Sequence, residues 1–283
     1  MRFVITGAGG MLGSDLVAAL AGRDVIALTR ADLDITNLDA VRSATRGADV
    51  VINAAAYTRV DDAESDETAA FAINATGAGN VAIATAETGA TLVHYSTDYV
   101  FDGTATTPYP EDFPVHPVTA YGRTKAAGEE LVLERGPERT FLLRTAYLYG
   151  EHGPNFVRTM LRLAGERETV SVVTDQVGQP TWTADVASQT VALLDASADP
   201  GIYHATSDGR ASWFEFARAI FATAGLDPAR VLPTDSAHYL QRAPRPGYSV
   251  LGHTRWATSG VPALRDWRDA LHAAAERGII GAR

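Results

Sequence analysis

Apolar positions in this chain arrive in short runs separated by stretches of helical length. Arg2-Phe3-Val4-Ile5-Thr6 is the first run, and it stops at Gly7-Ala8-Gly9-Gly10-Met11-Leu12-Gly13. An amphipathic helical pattern follows through Leu16 and Leu20, and Val25-Ile26-Ala27-Leu28 is the next apolar run. Strand, glycine turn, helix and strand in that order make a βαβ unit. Further runs repeat the alternation: Val50-Val51-Ile52-Asn53 leads into Ala54-Ala55-Ala56, Thr91-Leu92-Val93-His94-Tyr95 into Ser96-Thr97-Asp98, and Thr140-Phe141-Leu142-Leu143 into Arg144-Thr145. Such alternation predicts an α/β fold of Rossmann type, a doubly wound parallel sheet. Beyond residue 150 the pattern loosens around Gly150-Glu151-His152-Gly153-Pro154, Gly178-Gln179-Pro180 and Arg242-Ala243-Pro244-Arg245-Pro246-Gly247. The expected organisation is a dinucleotide-binding domain over 1–150, completed by a strand and a helix drawn from the 170–197 region. Residues 151–283 then form mainly a smaller C-terminal substrate lobe.

In sheets of this kind ligands bind beyond the carboxyl ends of the strands. Asn53, Thr97, Asp98, Arg144 and Thr145 fall at such ends, so their polar groups are expected to face a ligand. Gly7, Gly10 and Gly13 carry the spacing G-x-x-G-x-x-G directly after the first strand. The first permits a tight turn, the second lets backbone approach a phosphate, and the third lets the helix pack closely on the sheet. With 25 glycines in the chain the spacing alone would be weak. Its place between an N-terminal strand and a helix makes it a dinucleotide-binding signal, with the pyrophosphate at the helix N-terminus.

Composition narrows the partners. The chain has 283 residues, a formal net charge of −10, 46% hydrophobic and 20% charged residues. That balance is ordinary for a globular protein, and its acidity argues against nucleic acid as a partner. No apolar stretch has membrane-spanning length, and none reads as a leader at the N-terminal run. There is no Cys, which fits a reducing compartment. A cytoplasmic protein, a monomer or weak homodimer without membrane association, is expected. The seven histidines show no paired ligand spacing, so no metal is predicted.

Arginine supplies 23 of the 24 basic residues, and the single lysine is Lys125 in Tyr121-Gly122-Arg123-Thr124-Lys125. Residues four apart share a helix face. An ammonium is a compact charge with three donors that can serve a ribose hydroxyl and a phenol together, which a planar guanidinium cannot. A cation held near Tyr121 would lower its pKa from the usual value near 10. A solvated lysine on a helix surface is the ordinary alternative.

Together the motifs resemble the extended short-chain dehydrogenases, and more narrowly the dTDP-4-dehydrorhamnose reductase family. The resemblance is carried by the glycine loop, Asn53-Ala54-Ala55-Ala56-Tyr57-Thr58-x-Val60-Asp61-x-Ala63-Glu64, Asn74-Ala75, and His94-Tyr95-Ser96-Thr97-Asp98-Tyr99-Val100-Phe101-Asp102-Gly103. It continues through Tyr121-Gly122-x-Thr124-Lys125, Arg144-Thr145-Ala146-Tyr147-Leu148-Tyr149-Gly150, Asn155-Phe156, Asp175-Gln176-x-Gly178-x-Pro180-Thr181 and Arg242-x-Pro244 with Ser249. It thus spans nearly the whole chain, loosely over the last hundred residues. It implies an oxidoreductase with a catalytic triad of Thr97, Tyr121 and Lys125. Thr97 would hold the substrate carbonyl, Tyr121 would protonate its oxygen, and Lys125 would hold the nicotinamide ribose. The implied cofactor set is Gly7, Gly10, Met11, Leu12, Gly13, Arg30, Asp34, Ala54, Ala55, Ala56, Tyr121 and Lys125. The implied substrate set is Thr97, Asp98, Tyr99, Tyr147, Asn155, Gln176 and Arg242.

The resemblance further implies NAD(P)H-dependent reduction of the 4-keto group of a dTDP-4-keto-6-deoxysugar, with dTDP-4-dehydro-L-rhamnose as the leading substrate. Another deoxysugar 4-ketoreductase is the runner-up, and a non-catalytic subunit resembling that of methionine adenosyltransferase stays open. Related dehydratases carry Thr-Asp-Glu where this chain has Thr97-Asp98-Tyr99, and related epimerases end the second strand with an acid where it has Thr29-Arg30. A cation there suits the 2′-phosphate of NADPH, with NADH possible. The chain departs from many rhamnose-pathway reductases in having Tyr147 for Trp. Some relatives dimerise through magnesium; Asp15 matches one acidic position, but Thr183-Ala184 stands where another acid is expected. Arg242 and Arg245 are the basic residues expected to neutralise a diphosphate.

Overall fold

A computed structural model describes residues 1–196, 198–238 and 241–280. Six parallel strands form the central sheet: β1 (Arg2–Thr6), β2 (Asp24–Leu28), β3 (Val50–Asn53), β4 (Thr91–Thr97), β5 (Thr140–Thr145) and β6 (Gly201–His204). Their spatial order is β2-β1-β3-β4-β5-β6. Chain order reverses between β1 and β3, which opens a crevice at the carboxyl ends of the two strands.

The strands are buried on both faces, so they read as continuous apolar runs. Side chains nevertheless alternate. Phe3, Ile5, Ile52, Val93 and Leu143 face a core shared with helices α1 (Met11–Ala19) and α4 (Thr183–Asp195), through Leu12, Leu16, Val186 and Leu193. Val4, Val51 and Leu92 face the opposite core with Val41, Val81 and Val132. Each such fully buried aliphatic side chain contributes roughly 1.5–3 kcal/mol. Helix α2 (Ala120–Arg135) carries Tyr121 and Lys125. It starts at Thr119, whose hydroxyl accepts the N–H of Gly122 at 2.9 Å.

The C-terminal lobe packs helix α3 (Phe156–Glu166), helix α5 (Trp213–Thr223) and the helix Trp267–Glu276 around Tyr149, Met160, Trp182, Phe216 and Trp267. Helix α5 begins with a capping box, in which Ser212 and Glu215 satisfy each other's backbone N–H. The strand expected to complete the nucleotide-binding sheet from the 170–197 region lies elsewhere. Val170–Val173 pairs with Val231–Thr234 in the smaller lobe, and β6 supplies the sixth strand of the central sheet. A four-residue apolar run is compatible with either sheet, and only its neighbours decide between them. No helix of the described residues is long and apolar enough to cross a membrane.

Candidate active site

The turn after β1 is built from backbone. Gly7 has φ +71°, a left-handed conformation that favours glycine, and a Cβ there would stand 2.5 Å from the Ala55 nitrogen. A Cβ on Gly13 would stand 2.2 Å from the Gly7 carbonyl oxygen, so helix and turn can meet only at glycine. The first intrahelical bond of α1 runs from Ser14 N–H to Gly10 C=O at 2.9 Å. The N–H groups of Met11, Leu12 and Gly13 are therefore available to an anion.

Beside this turn lies a cavity of about 550 Å³, lined by Gly7, Gly10, Arg30, Asp34, Ala54–Ala56 and the wall Ala69-Ala72-Ile73. Most of the expected cofactor set meets there. Met11, Leu12 and Gly13 do not line it with side chains: Leu12 is core and Gly13 is a packing contact. Arg30 is exposed at the rim, while Asp34 spends Oδ1 on the N–H (2.9 Å) and hydroxyl (2.7 Å) of Thr36. These two bonds, with burial opposing and Arg30 helping, hold its carboxyl below the ordinary range. A dinucleotide fits this arrangement: free helix N-terminal donors, a glycine turn no side chain could enter, and a cation at the end of β2.

A second cavity of about 700 Å³ opens in the C-terminal lobe, lined among others by Tyr99, Phe156, Arg167, Gln176, Trp213 and Arg245. Tyr121 stands between the two. It shares an apolar cluster with Ala69 and Ile73 of the first cavity wall, and its ring lies edge-on against Tyr99 of the second, centroids 5.6 Å apart. Burial pushes its phenol up to about 12, the Thr97 hydroxyl pulling the other way and Asp98 adding to the rise. Lys125 does not act on it as expected. Its ammonium donates to the Tyr95 carbonyl at 2.6 Å, and burial lowers it to about 8, against the pull of Glu129. Lys125 is not among the groups that act on the phenol, and burial sets the direction of its shift.

Thr97 closes β4. Its hydroxyl donates to Asp98 Oδ1 at 3.0 Å and accepts the N–H of Tyr99 at 3.2 Å. Asn74 had no assigned role, yet it fixes this corner. It accepts the N–H of Tyr57 (2.8 Å) and donates to the Tyr57 carbonyl (3.1 Å) and to Thr124 (3.0 Å), while Thr124 donates to the carbonyl of Tyr121 (2.8 Å). Asn74 sits in a π-helical segment, Ala72–Gly77, a rare geometry that recurs at functional sites.

The expected substrate residues divide. Tyr99 and Gln176 line the second cavity, Gln176 donating to Ser236 at 2.8 Å. Tyr147 has φ +46° and stacks on Trp213 with centroids 3.7 Å apart. A non-glycine residue held at positive φ is strained, and the stack fixes it there. Asn155 is already engaged: its oxygen caps α3 by accepting the Arg158 N–H at 3.1 Å, and its amide donates to the Gly150 carbonyl at 2.9 Å. Arg242 is exposed and off the cavity lining; Arg245 is on it and pairs with Asp61 at 2.7 Å.

Two strand-end residues expected to face a ligand are structural. Arg144 is a buried partner of Glu129, with bonds of 2.9 and 2.7 Å, and donates to the Glu111 carbonyl at 3.1 Å. Asn53 accepts the Thr6 hydroxyl at 2.7 Å and the Ala55 N–H at 3.2 Å, which turns its amide to His94 Nδ1 at 3.0 Å. Among the described residues no group of three or more His, Cys, Asp or Glu could hold a metal.

A glycine-looped parallel sheet, a strand-end threonine and a Tyr-x-x-x-Lys helix beside a dinucleotide cavity define a nicotinamide-dependent oxidoreductase of the short-chain type. A family model described as the RmlD substrate binding domain matches residues 1–279, and the chain belongs to that family. It is 50% identical over 279 residues to a dTDP-4-dehydrorhamnose reductase of Streptomyces griseus, covering 95% of this chain and 91% of that one. To a dTDP-4-keto-6-deoxy-D-glucose reductase of Streptomyces niveus it is 48% identical over 274 residues, 95% of each. The crystal structure of dTDP-4-dehydrorhamnose reductase from Bacillus anthracis in complex with NADP superposes with a TM-score of 0.94 at 40% identity, over 98% of this chain and 99% of that chain.

Proposed function

We propose that this enzyme reduces the 4-keto group of a dTDP-4-keto-6-deoxysugar with NADPH, NADH being a possible substitute, and that dTDP-4-dehydro-L-rhamnose, converted to dTDP-L-rhamnose, is the leading substrate. The observation that carries the reading is the place of Tyr121, in one apolar cluster with Ala69 and Ile73, which line the glycine-loop cavity, and edge-on against Tyr99, which lines the second. NADPH supplies the hydride. The protein's own part is proton placement and orientation. Tyr121, protonated throughout the neutral range, donates its O–H to the carbonyl oxygen as charge develops there. Thr97 holds that oxygen, Lys125 offers an ammonium to the nicotinamide ribose, and Arg30 meets the 2′-phosphate. Tyr147, stacked on Trp213, gives the sugar an aromatic wall, and Arg245 faces the diphosphate.

A second sugar remains in play because relatives named for two different 4-keto sugars match this chain at 50% and 48% identity. Tyr147, at the family's Trp position, lies where a sugar ring would be told apart. The reaction is proposed for the cytoplasm, where reduced nicotinamide is held. A monomer or weak homodimer is proposed. The test is incubation with NADPH and a panel of dTDP-4-keto sugars, with product configuration read by NMR. Oxidation of NADPH with formation of the 4-hydroxy product is expected; no oxidation with any sugar would overturn the reading in favour of a non-catalytic subunit.

A further inference from the structure

Thr97 is the group proposed to hold the substrate carbonyl, yet its proton is contested. A threonine hydroxyl has one O–H; Asp98 Oδ1, 3.0 Å away, takes it when ionised, in competition with the Tyr121 phenol that the same hydroxyl stabilises. A Thr97 that donates to Asp98 has no proton to offer a carbonyl oxygen. Asp98 is 2% exposed, and its Oδ2 is buried with no hydrogen-bond partner. No cation is among the groups acting on it. A buried carboxylate without a cation favours its neutral form. Burial accordingly pushes Asp98 up to about 6, with Ser249 and Thr97 only partly opposing.

We propose that Asp98 is a positioning residue that sets the direction of the Thr97 hydroxyl. Protonated, Asp98 donates to the Thr97 oxygen and leaves the Thr97 proton for the substrate carbonyl; ionised, it captures that proton. The inference rests on the reductase reading above.

The surrounding groups leave the switch to this carboxyl. On β4 itself lies His94, which burial holds well below its ordinary value, helped by the charge of Lys125. The following turn brings Tyr99, helix α2 brings Tyr121 and Lys125, and the segment after β5 brings Tyr147. The segment after the proline-rich loop adds Ser249, and beyond Tyr99 stand Arg245 and Asp61. The phenols of Tyr99, Tyr121 and Tyr147 are all driven upward by burial. Among the groups whose ionisation the surroundings shift, Asp98 changes charge near 6, and Lys125 follows near 8.

The test compares pH profiles of turnover for wild type and Asp98→Asn. An amide can donate to Thr97 at every pH. The wild-type rate is expected to fall as pH rises from 5.5 to 7.5. The variant is expected to keep turnover within about tenfold of the low-pH wild-type rate and to lose that limb. A merely structural Asp98 would lower the rate at all pH values and leave the midpoint in place, and that result overturns the proposal. Infrared difference spectra of the Asp98 carboxyl, wild type minus Asp98→Asn, give a readout independent of turnover. A midpoint near 6 that moves upward in Thr97→Val supports the coupling; a midpoint below 4.5, or one indifferent to Thr97→Val, overturns it. If no sugar is turned over, the reductase reading falls, while the carboxyl titration still decides whether Asp98 and Thr97 act together.

Discussion

The two cavities are walled by different kinds of atom. Around the glycine loop the lining is mostly glycine and alanine, from Gly7, Gly10, Ala54–Ala56, Ala69 and Ala72, joined by Leu33, Ile35 and Ile73 and by the charged Arg30 and Asp34. In the C-terminal lobe it is long side chains: Phe156, Met160, Arg167, Gln176, Trp213 and Arg245. A backbone wall is specified by one turn and its immediate neighbours. A side-chain wall needs elements far apart in sequence to meet, as Asp61 and Arg245 do across 184 positions and Gln176 and Ser236 across 60. The first kind of wall should fail when atoms are added, the second when they are removed.

The largest effect is expected between the walls, where Tyr121 and Lys125 serve both. Lys125→Met should lower turnover by about 10²-fold or more, and Lys125→Arg should recover little of it, because charge returns without geometry. As Lys125 is the only lysine, an amine-directed reagent has two targets, this side chain and the N-terminus. Mass spectrometry should find Lys125 labelled more slowly when NADPH is saturating. Near-wild-type turnover of Lys125→Met, or labelling indifferent to cofactor, would remove it from the site.

Adding atoms to the backbone wall comes next. Gly13→Ala would place a methyl 2.2 Å from the Gly7 oxygen, and overpacking of this kind costs about 1–3 kcal/mol. NADPH affinity, read by fluorescence titration, should fall by roughly tenfold or more. Affinity equal to wild type would mean that the turn yields freely and that the contrast between the walls is false.

Removing atoms from the second wall should cost less. Arg245→Ala frees the 242–247 loop from Asp61 and should raise KM for the nucleotide sugar about five- to tenfold with kcat little changed. Arg242→Ala, on the exposed side of the same loop, should have a smaller effect. The reverse order would move the diphosphate to Arg242. The smallest change is expected at the cofactor rim, where Arg30→Ala should erode NADPH preference over NADH severalfold, on the order of 1 kcal/mol. Steady-state comparison of the two cofactors reads it, and an unchanged preference dismisses Arg30.

The same contrast explains what could be read from the chain beforehand. The strands, the glycine turn and the Tyr-x-x-x-Lys helix are local patterns, and each is legible from a few neighbours. Arg144 and Asn53 were legible as strand-end polar residues but not as structural ones. Their partners, Glu129 fifteen positions away and His94 forty-one away, come from other elements. Asn155 stands beside a helix start, where a capping role is the local expectation, whereas the family resemblance implies a ligand. Arg242 and Arg245 differ by three positions in a proline-rich loop with no period to reveal which side faces inward. The upward shift of Tyr121 depends on how completely the fold buries it, which sequence spacing does not encode.

The π-helical segment at 72–77 imposes a reading frame on the site. Each of its i→i+5 hydrogen bonds spans one residue more than an α-helical bond. Deleting one residue there would let the backbone relax to ordinary α-helix, which absorbs the deletion: the flanking turns keep their facing, while the residues within the segment change theirs. Asn74 would then no longer face Tyr57 and Thr124 together, and Tyr121 would lose its tie to the neighbouring helix. A one-residue shortening could thus preserve every motif in the chain and still disconnect the reacting phenol from its scaffold. Length at this point is as much a part of the chemistry as residue identity.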